Sequence, residues 1–124
     1  MAVECFDHFN IRCADIERTR SFYCDVLGLK VGERPAVTDP GYWLYCGNQP
    51  QVHLVPCDPK SSVSAANGAF DHVAFRLSDP EGMIETLRAK QIPYIERSFP
   101  AVGVRQIVVH DPDGILIELT CGLP

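Results

Sequence analysis

An α+β fold of two βαβββ modules is what this 124-residue sequence predicts, and three observations carry the expectation. Two stretches, beginning at Ile16 and at Pro80, repeat apolar residues at helical spacing between recognisable caps. Each comes after one strand-like segment and precedes three more. Short patterns also recur at matching places in the two halves: Asp7-His8 returns as Asp71-His72, and Val52-His53-Leu54 is answered by Ile117-Glu118-Leu119. A duplication of this kind predicts two similar units whose sheets pair about a pseudo-twofold axis into a half-closed, eight-stranded sheet.

The first module is expected over residues 4–57. Its opening strand runs from Cys5 to Cys13 in apolar–polar alternation. Asp15 then caps a helix in which Ile16, Thr19, Phe22, Tyr23, Val26 and Leu27 form one apolar stripe. Gly28 stands where a left-handed residue ends a helix. Strands at Leu29–Glu33, Tyr42–Cys46 and Gln51–Pro56 come next, separated by Pro, Gly and Asn turn clusters.

The second module is expected over residues 70–122, after a linker at 58–69 of small and polar residues. Phe70–Leu77 forms its first strand. Ser78 or Asp79 caps a helix with Pro80 at the first position, where its missing N–H costs nothing. Met83, Ile84 and Leu87 make the stripe, and the helix ends near Lys90 to Gln91, ahead of Ile92-Pro93. Tyr94–Ser98, Arg105–His110 and Ile115–Cys121 complete the unit. Pro112-Asp113-Gly114 makes the hairpin between the last two.

Composition bounds the function. Eleven Lys and Arg against 16 Asp and Glu give a net charge of −5. With no basic cluster, nucleic acid and anionic membrane surfaces are poor partners, and neither is expected. No apolar run is long enough to cross a bilayer. Met1 to Asp7 lack the basic and apolar regions of a signal peptide, so a cytoplasmic location is expected. The six cysteines include no Cys-x-x-Cys, and they are expected as structural thiols in a reducing compartment.

Chemistry concentrates in the histidines, of which there are four. Strand side chains alternate faces, so His8 shares a face with Asn10 and Arg12, and His72 with Ala74 and Arg76. His53 points with Gln51 and Val55, and Glu118 with Leu116 and Thr120. Each half thus offers one ligand on its first strand and one on its last, and a pseudo-twofold can bring the four into one N/O cluster. Three imidazoles and a carboxylate suit Zn, Ni, Co, Mn or Fe. Glu118, between Ile117 and Leu119, is awkward for a plain core, where buried carboxylates are paired or metal-bound. His110 falls outside the cluster as an exposed strand end. Trp43 with Tyr45, or Tyr42 with Leu44, share a face and one pair can line an aromatic pocket.

At these residues the chain resembles the vicinal oxygen chelate superfamily, which includes glyoxalase I, extradiol ring-cleavage dioxygenases, methylmalonyl-CoA epimerase and the fosfomycin- and bleomycin-resistance proteins. The resemblance rests on DHFNIRCADIERTRSFYCDVLGL, FDHVAF and HDPDGILIEL, and covers essentially the whole chain as a single domain. It implies the glyoxalase/bleomycin resistance/dioxygenase fold, with metal positions at His8, His72 and Glu118 and a fourth at His53. It also implies a small substrate that chelates a divalent ion through two vicinal oxygens, with the ion as Lewis acid.

A glyoxalase-like lyase or isomerase is the reading this resemblance favours. Glu118 would be metal ligand and catalytic base, and glutathione a co-substrate. Arg12 matches the arginine that contacts the glutathione γ-glutamyl group, and Arg76 and Gln106 are candidates for holding a carboxylate or second oxygen. The chain departs from the glyoxalase pattern at His53, at Cys57, and in Ser98–Val104, which lacks a lysine. Two alternatives remain: a single-domain extradiol-type dioxygenase, and a metal-free binding protein of the bleomycin-resistance kind. Open sheet edges and a half-closed cup predict a homodimer.

Overall fold

Alternation in FNIRC buries Ile11 and Cys13 and exposes Asn10 and Arg12, and so makes strand β1, Phe9–Cys13. The computed structural model describes residues 6–35, 40–57 and 72–123. The expected linker 58–69, Cys5 and the Phe70-Asp71 start of the fifth strand lie outside them. The chain divides into two compact units, residues 1–63 and 64–124.

In the first unit Asp15 accepts a hydrogen bond from the Arg18 amide at 3.1 Å and starts helix α1, Ile16–Ser21. The regular helix stops there and does not run on to Leu27. From Phe22 to Val26 the turn widens to π geometry, with the Leu27 amide on the Phe22 carbonyl at 3.3 Å. A π turn advances fewer degrees per residue, which lets the adjacent bulky pair Phe22 and Tyr23 both enter the core, at 8% and 0% exposure. Gly28 then reverses the chain at φ +83°, a conformation that favours glycine.

Strands β2 (Lys30–Gly32), β3 (Tyr42–Cys46) and β4 (Gln49–Pro56) complete a four-stranded sheet in the order β1-β4-β3-β2. Its covered face carries Ile11, Cys13, Leu44, Val52 and Leu54, all buried with Phe22, Tyr23 and Val26. The opposite face carries His53, Trp43 and Tyr45, all half-buried.

The second unit repeats the plan with β5 (His72–Arg76), α2 (Pro80–Ala89), β6 (Ile95–Phe99), β7 (Val104–His110) and β8 (Leu116–Gly122), in sheet order β5-β8-β7-β6. Asp79, not Ser78, caps α2 by accepting from the Gly82 amide at 3.0 Å, and Pro80 opens it. A short 3-10 turn at Pro100–Val102 was not expected. Arg105 bridges Glu81 of α2 and Glu96 of β6 at 2.7 and 2.8 Å, tying the helix to the sheet. Leu87, Ile107, Val109, Ile117, Leu119 and Cys121 are buried.

The eight strands therefore fall into two four-stranded sheets, and the repeat extends to register. The parallel pair β1–β4 sets Asn10 opposite His53, and the parallel pair β5–β8 sets Ala74 opposite Glu118. His53 and Glu118 thus occupy the same place in their respective ladders. The described cysteines, Cys13, Cys24, Cys46, Cys57 and Cys121, are thiols rather than disulfides, as expected. Burial pushes the Cys24 thiol up from its ordinary value, which suppresses thiolate chemistry there. Among the described residues no helix is long and apolar enough to cross a membrane.

Candidate functional site

His8 stands just ahead of β1, and its ring lies flat on that of His53, centroids 3.8 Å apart and planes 14° apart. His53 is stacked on its other neighbour too: Trp43, its antiparallel partner on β3, sits 4.3 Å away at 10°. The cross-strand register sets Trp43 opposite His53, so that stack arises from strand pairing, whereas Asn10 is the β1 residue opposite His53 and His8 reaches its ring from two residues ahead of Asn10.

Each imidazole has one nitrogen engaged. Nδ1 of His8 donates to Oδ2 of Asp7 at 2.5 Å, and Nε2 of His53 donates to the Pro50 carbonyl at 2.8 Å. Burial, and then the nearby His8, push the His53 imidazole below its ordinary value. It is therefore neutral near pH 7, in keeping with its place between two rings.

In the second unit Glu118 projects from β8 with its side chain only 16% exposed, and His72 Nε2 lies 3.6 Å from its Oε1. Gln106, on the adjacent strand, donates from Nε2 to the same Oε1 at 3.0 Å and to Thr120 Oγ1 at 3.4 Å. Gln106, a candidate for holding a substrate oxygen, is engaged with Glu118 in this structure.

These donors differ in how they suit a metal ion. Two ligand atoms each about 2.1 Å from one ion lie at most about 4.2 Å apart, so the 3.6 Å between His72 and Glu118 is a separation that one ion spans. It is too long for a good hydrogen bond. His8 also fits: a ligating histidine commonly donates its second ring N–H to a carboxylate, which Asp7 provides.

His53 does not fit together with His8. Ring lone pairs lie in the ring plane, so two stacked imidazoles direct them side by side and cannot converge on one ion. Within either unit, among the described residues, no three His, Cys, Asp or Glu side chains form a ready-made cation site.

The remaining candidates lie away from these contacts. Arg12 and Arg76 are exposed on the faces that carry Asn10 and His72 respectively. His110 is exposed at the end of β7, as expected. In HDPDG the buried Asp111 builds the turn, its Oδ1 accepting from the Asp113 and Ile115 amides at 2.8 and 2.9 Å. Sequence reasoning missed Asp7 and the stacking role of His53. The repeated Asp-His dipeptide carried the signal for the first, since it pairs a carboxylate with each candidate ligand on a first strand.

Comparison with known proteins agrees with this architecture. Glyoxylase I 4 of Arabidopsis thaliana is 28% identical over 120 residues, covering 91% of this chain and 68% of that protein. A lactoylglutathione lyase of the same plant is 28% identical over 121 residues, 92% of this chain but only 43% of that protein's length. Among solved structures, a fosfomycin resistance protein of Listeria monocytogenes, complexed with Mn(II) and 1S,2S-dihydroxypropylphosphonic acid, superposes with a TM-score of 0.77. It is 16% identical and the match covers 98% of this chain and 94% of the other. A family model matches residues 6–119. The chain belongs to the Glyoxalase/Bleomycin resistance protein/Dioxygenase superfamily.

Proposed function

We propose that the protein is a divalent-metal-dependent enzyme of the glyoxalase-like, lyase or isomerase branch, acting on a small substrate with two vicinal oxygens. The observation that carries the reading is the His72–Glu118 donor pair at 3.6 Å, with the carboxylate-backed His8 at the matching place in the other unit. The proposed ligands are His8, His72 and Glu118; His53 joins them only by leaving its stack and the Pro50 carbonyl. A bound Zn, Ni, Co, Mn or Fe ion would supply Lewis-acid polarisation of the substrate oxygens.

The chain's own groups have separate tasks in this reading. Both Gln106 and His72 face Oε1 of Glu118, which leaves Oε2 to take a proton from a substrate carbon and return it to a neighbouring one. Arg12 and Arg76 offer guanidinium groups to substrate carboxylates, those of glutathione as co-substrate included. A homodimer completes the site, and the cytoplasm keeps the five described thiols reduced.

Elemental analysis of protein purified without added metal tests this. Stoichiometric divalent ion in the parent, lost in His8→Ala and in Glu118→Ala with the fold intact by circular dichroism, supports it. Ion retained in both variants sinks the assignment, and no ion in the parent favours a metal-free binding protein. A second reading arises from the poor fit of His53. Two histidines and one carboxylate are the donor set of non-haem iron oxygenases, so iron together with oxygen uptake on catechols would favour the dioxygenase.

A further inference from the structure

Trp43 and Tyr45 line a recess of about 560 Å³ with Glu33, Arg34 and Pro35, all within the first unit. That volume is within the usual range for small-molecule sites. The pair Trp43 and Tyr45, rather than Tyr42 and Leu44, is the one that forms an aromatic wall, because Leu44 is fully buried.

Its walls are fixed before any ligand arrives. The Tyr45 hydroxyl donates to the Glu33 carbonyl at 2.7 Å. The Tyr45 ring lies against Gly32 so closely that a Cβ there would stand 2.5 Å from Cε1. Trp43 is held by its stack on His53, and His53 in turn by Pro50. Arg34 crosses Gly41, where a Cβ would meet Nη2 at 2.9 Å. Glycines at 32 and 41 thus make room for the aromatic ring and the guanidinium that face the recess.

Two immobilised aromatic rings favour a planar, polarisable guest over a saturated one of equal size. The guanidinium carries five N–H donors, so a partner already on it leaves others for a carboxylate. We propose that this recess binds an aromatic carboxylate, the arene against Trp43 and Tyr45 and the carboxylate on Arg34. The recess wall Trp43 is linked to the proposed ligand His8 through the His53 ring that stacks on both, and an aromatic acid is the substrate class the recess selects. That link to catalysis rests on the metal reading above; the binding itself does not.

Trp43 is the chain's single tryptophan, so tryptophan emission comes from this wall of the recess. The whole chain, treated with a chelator, is titrated with benzoate, cyclohexanecarboxylate and benzamide. Benzoate is expected to change Trp43 emission saturably and to bind about tenfold or more tighter than the saturated acid or the neutral amide. Arg34→Gln should weaken benzoate about tenfold and leave benzamide unchanged. Gly32→Val, which displaces the Tyr45 ring, should weaken both arenes.

No saturable change with benzoate, equal affinity for cyclohexanecarboxylate, or an indifferent Arg34→Gln overturns the proposal. Should Arg34→Gln fail to fold, the three probes on the parent chain decide alone. Glu118→Ala and His8→Ala separate the two readings. Benzoate binding to the parent with metal retained in both variants would leave the recess standing and remove the metal site, whereas metal lost in both without benzoate binding to the parent would do the reverse.

Discussion

Gln106 reaches across from β7 to Glu118 on β8 and donates its amide N–H to Oε1 at 3.0 Å. Val108 is the residue directly opposite Glu118, and Gln106 opposes Thr120, so the contact is the diagonal one that long side chains make in an antiparallel pair. It orients a carboxylate that is mostly removed from water. Partners of this sort around a metal site typically carry 10- to 100-fold in affinity or activity. Gln106→Ala is therefore expected to weaken binding of Zn(II) about 10- to 100-fold by isothermal titration without unfolding the protein. Unchanged affinity would show that Glu118 needs no such support.

The stacked column makes a contrasting prediction for His53. Phenylalanine preserves a flat ring between Trp43 and His8 but has no nitrogen to bind metal. His53→Phe is expected to keep stoichiometric ion in elemental analysis, where His8→Ala loses it. The lost hydrogen bond to Pro50 should cost about 1 kcal/mol of stability. Loss of the ion in His53→Phe would show that the imidazole leaves its stack to become a fourth ligand.

Local chemistry explains which parts of this architecture are legible in the sequence. Asp15, Gly28, Asp79-Pro80 and Pro112-Asp113-Gly114 each act within a few residues of themselves, and each stands where its caps or turns predict. Strand faces obey a period of two, so the sheet positions of His53, His72 and Glu118 were readable, and Tyr42–Cys46 has the expected bounds. The π turn at Phe22–Val26 was not readable, because packing of two adjacent aromatic rings decides it and propensity does not. Nor were the tautomer and stacking of His53, which depend on side-chain torsions and on the Pro50 carbonyl three residues back.

The HDPDG segment carries a structural prediction apart from metal chemistry. Asp111 is 4% exposed and its Oδ1 satisfies two backbone amides of the β7–β8 turn. Alanine would leave both donors without that acceptor, at a cost of about 2 kcal/mol. Asparagine keeps a carbonyl oxygen in the same place. Asp111→Ala should lower the urea midpoint clearly and Asp111→Asn much less; equal effects would mean that charge, not the acceptor geometry, holds the turn.

A last prediction concerns pH, through the clasp between α1 and β3. The Tyr42 hydroxyl donates to Glu17, and Arg20 pairs with the same carboxylate at 2.9 Å. The tyrosine first, and Arg20 second, hold the Glu17 carboxyl below its ordinary range, while Glu17 raises the Tyr42 phenol above its own. A lowered carboxyl contributes stability that is present above its unfolded value and is lost as pH falls through the folded one. A raised phenol contributes stability that is present below its unfolded value and is lost as pH rises through the folded one. The clasp is thus intact around neutral pH and weakens at both ends. Both groups are exposed, so water and salt screen the pair and the effect is small. The difference in urea midpoint between the parent and Tyr42→Phe should be largest near neutral pH. It should shrink in acid below the carboxylate range and in alkali above the phenol range, and a difference constant across pH would mean that the hydroxyl acts on stability without Glu17.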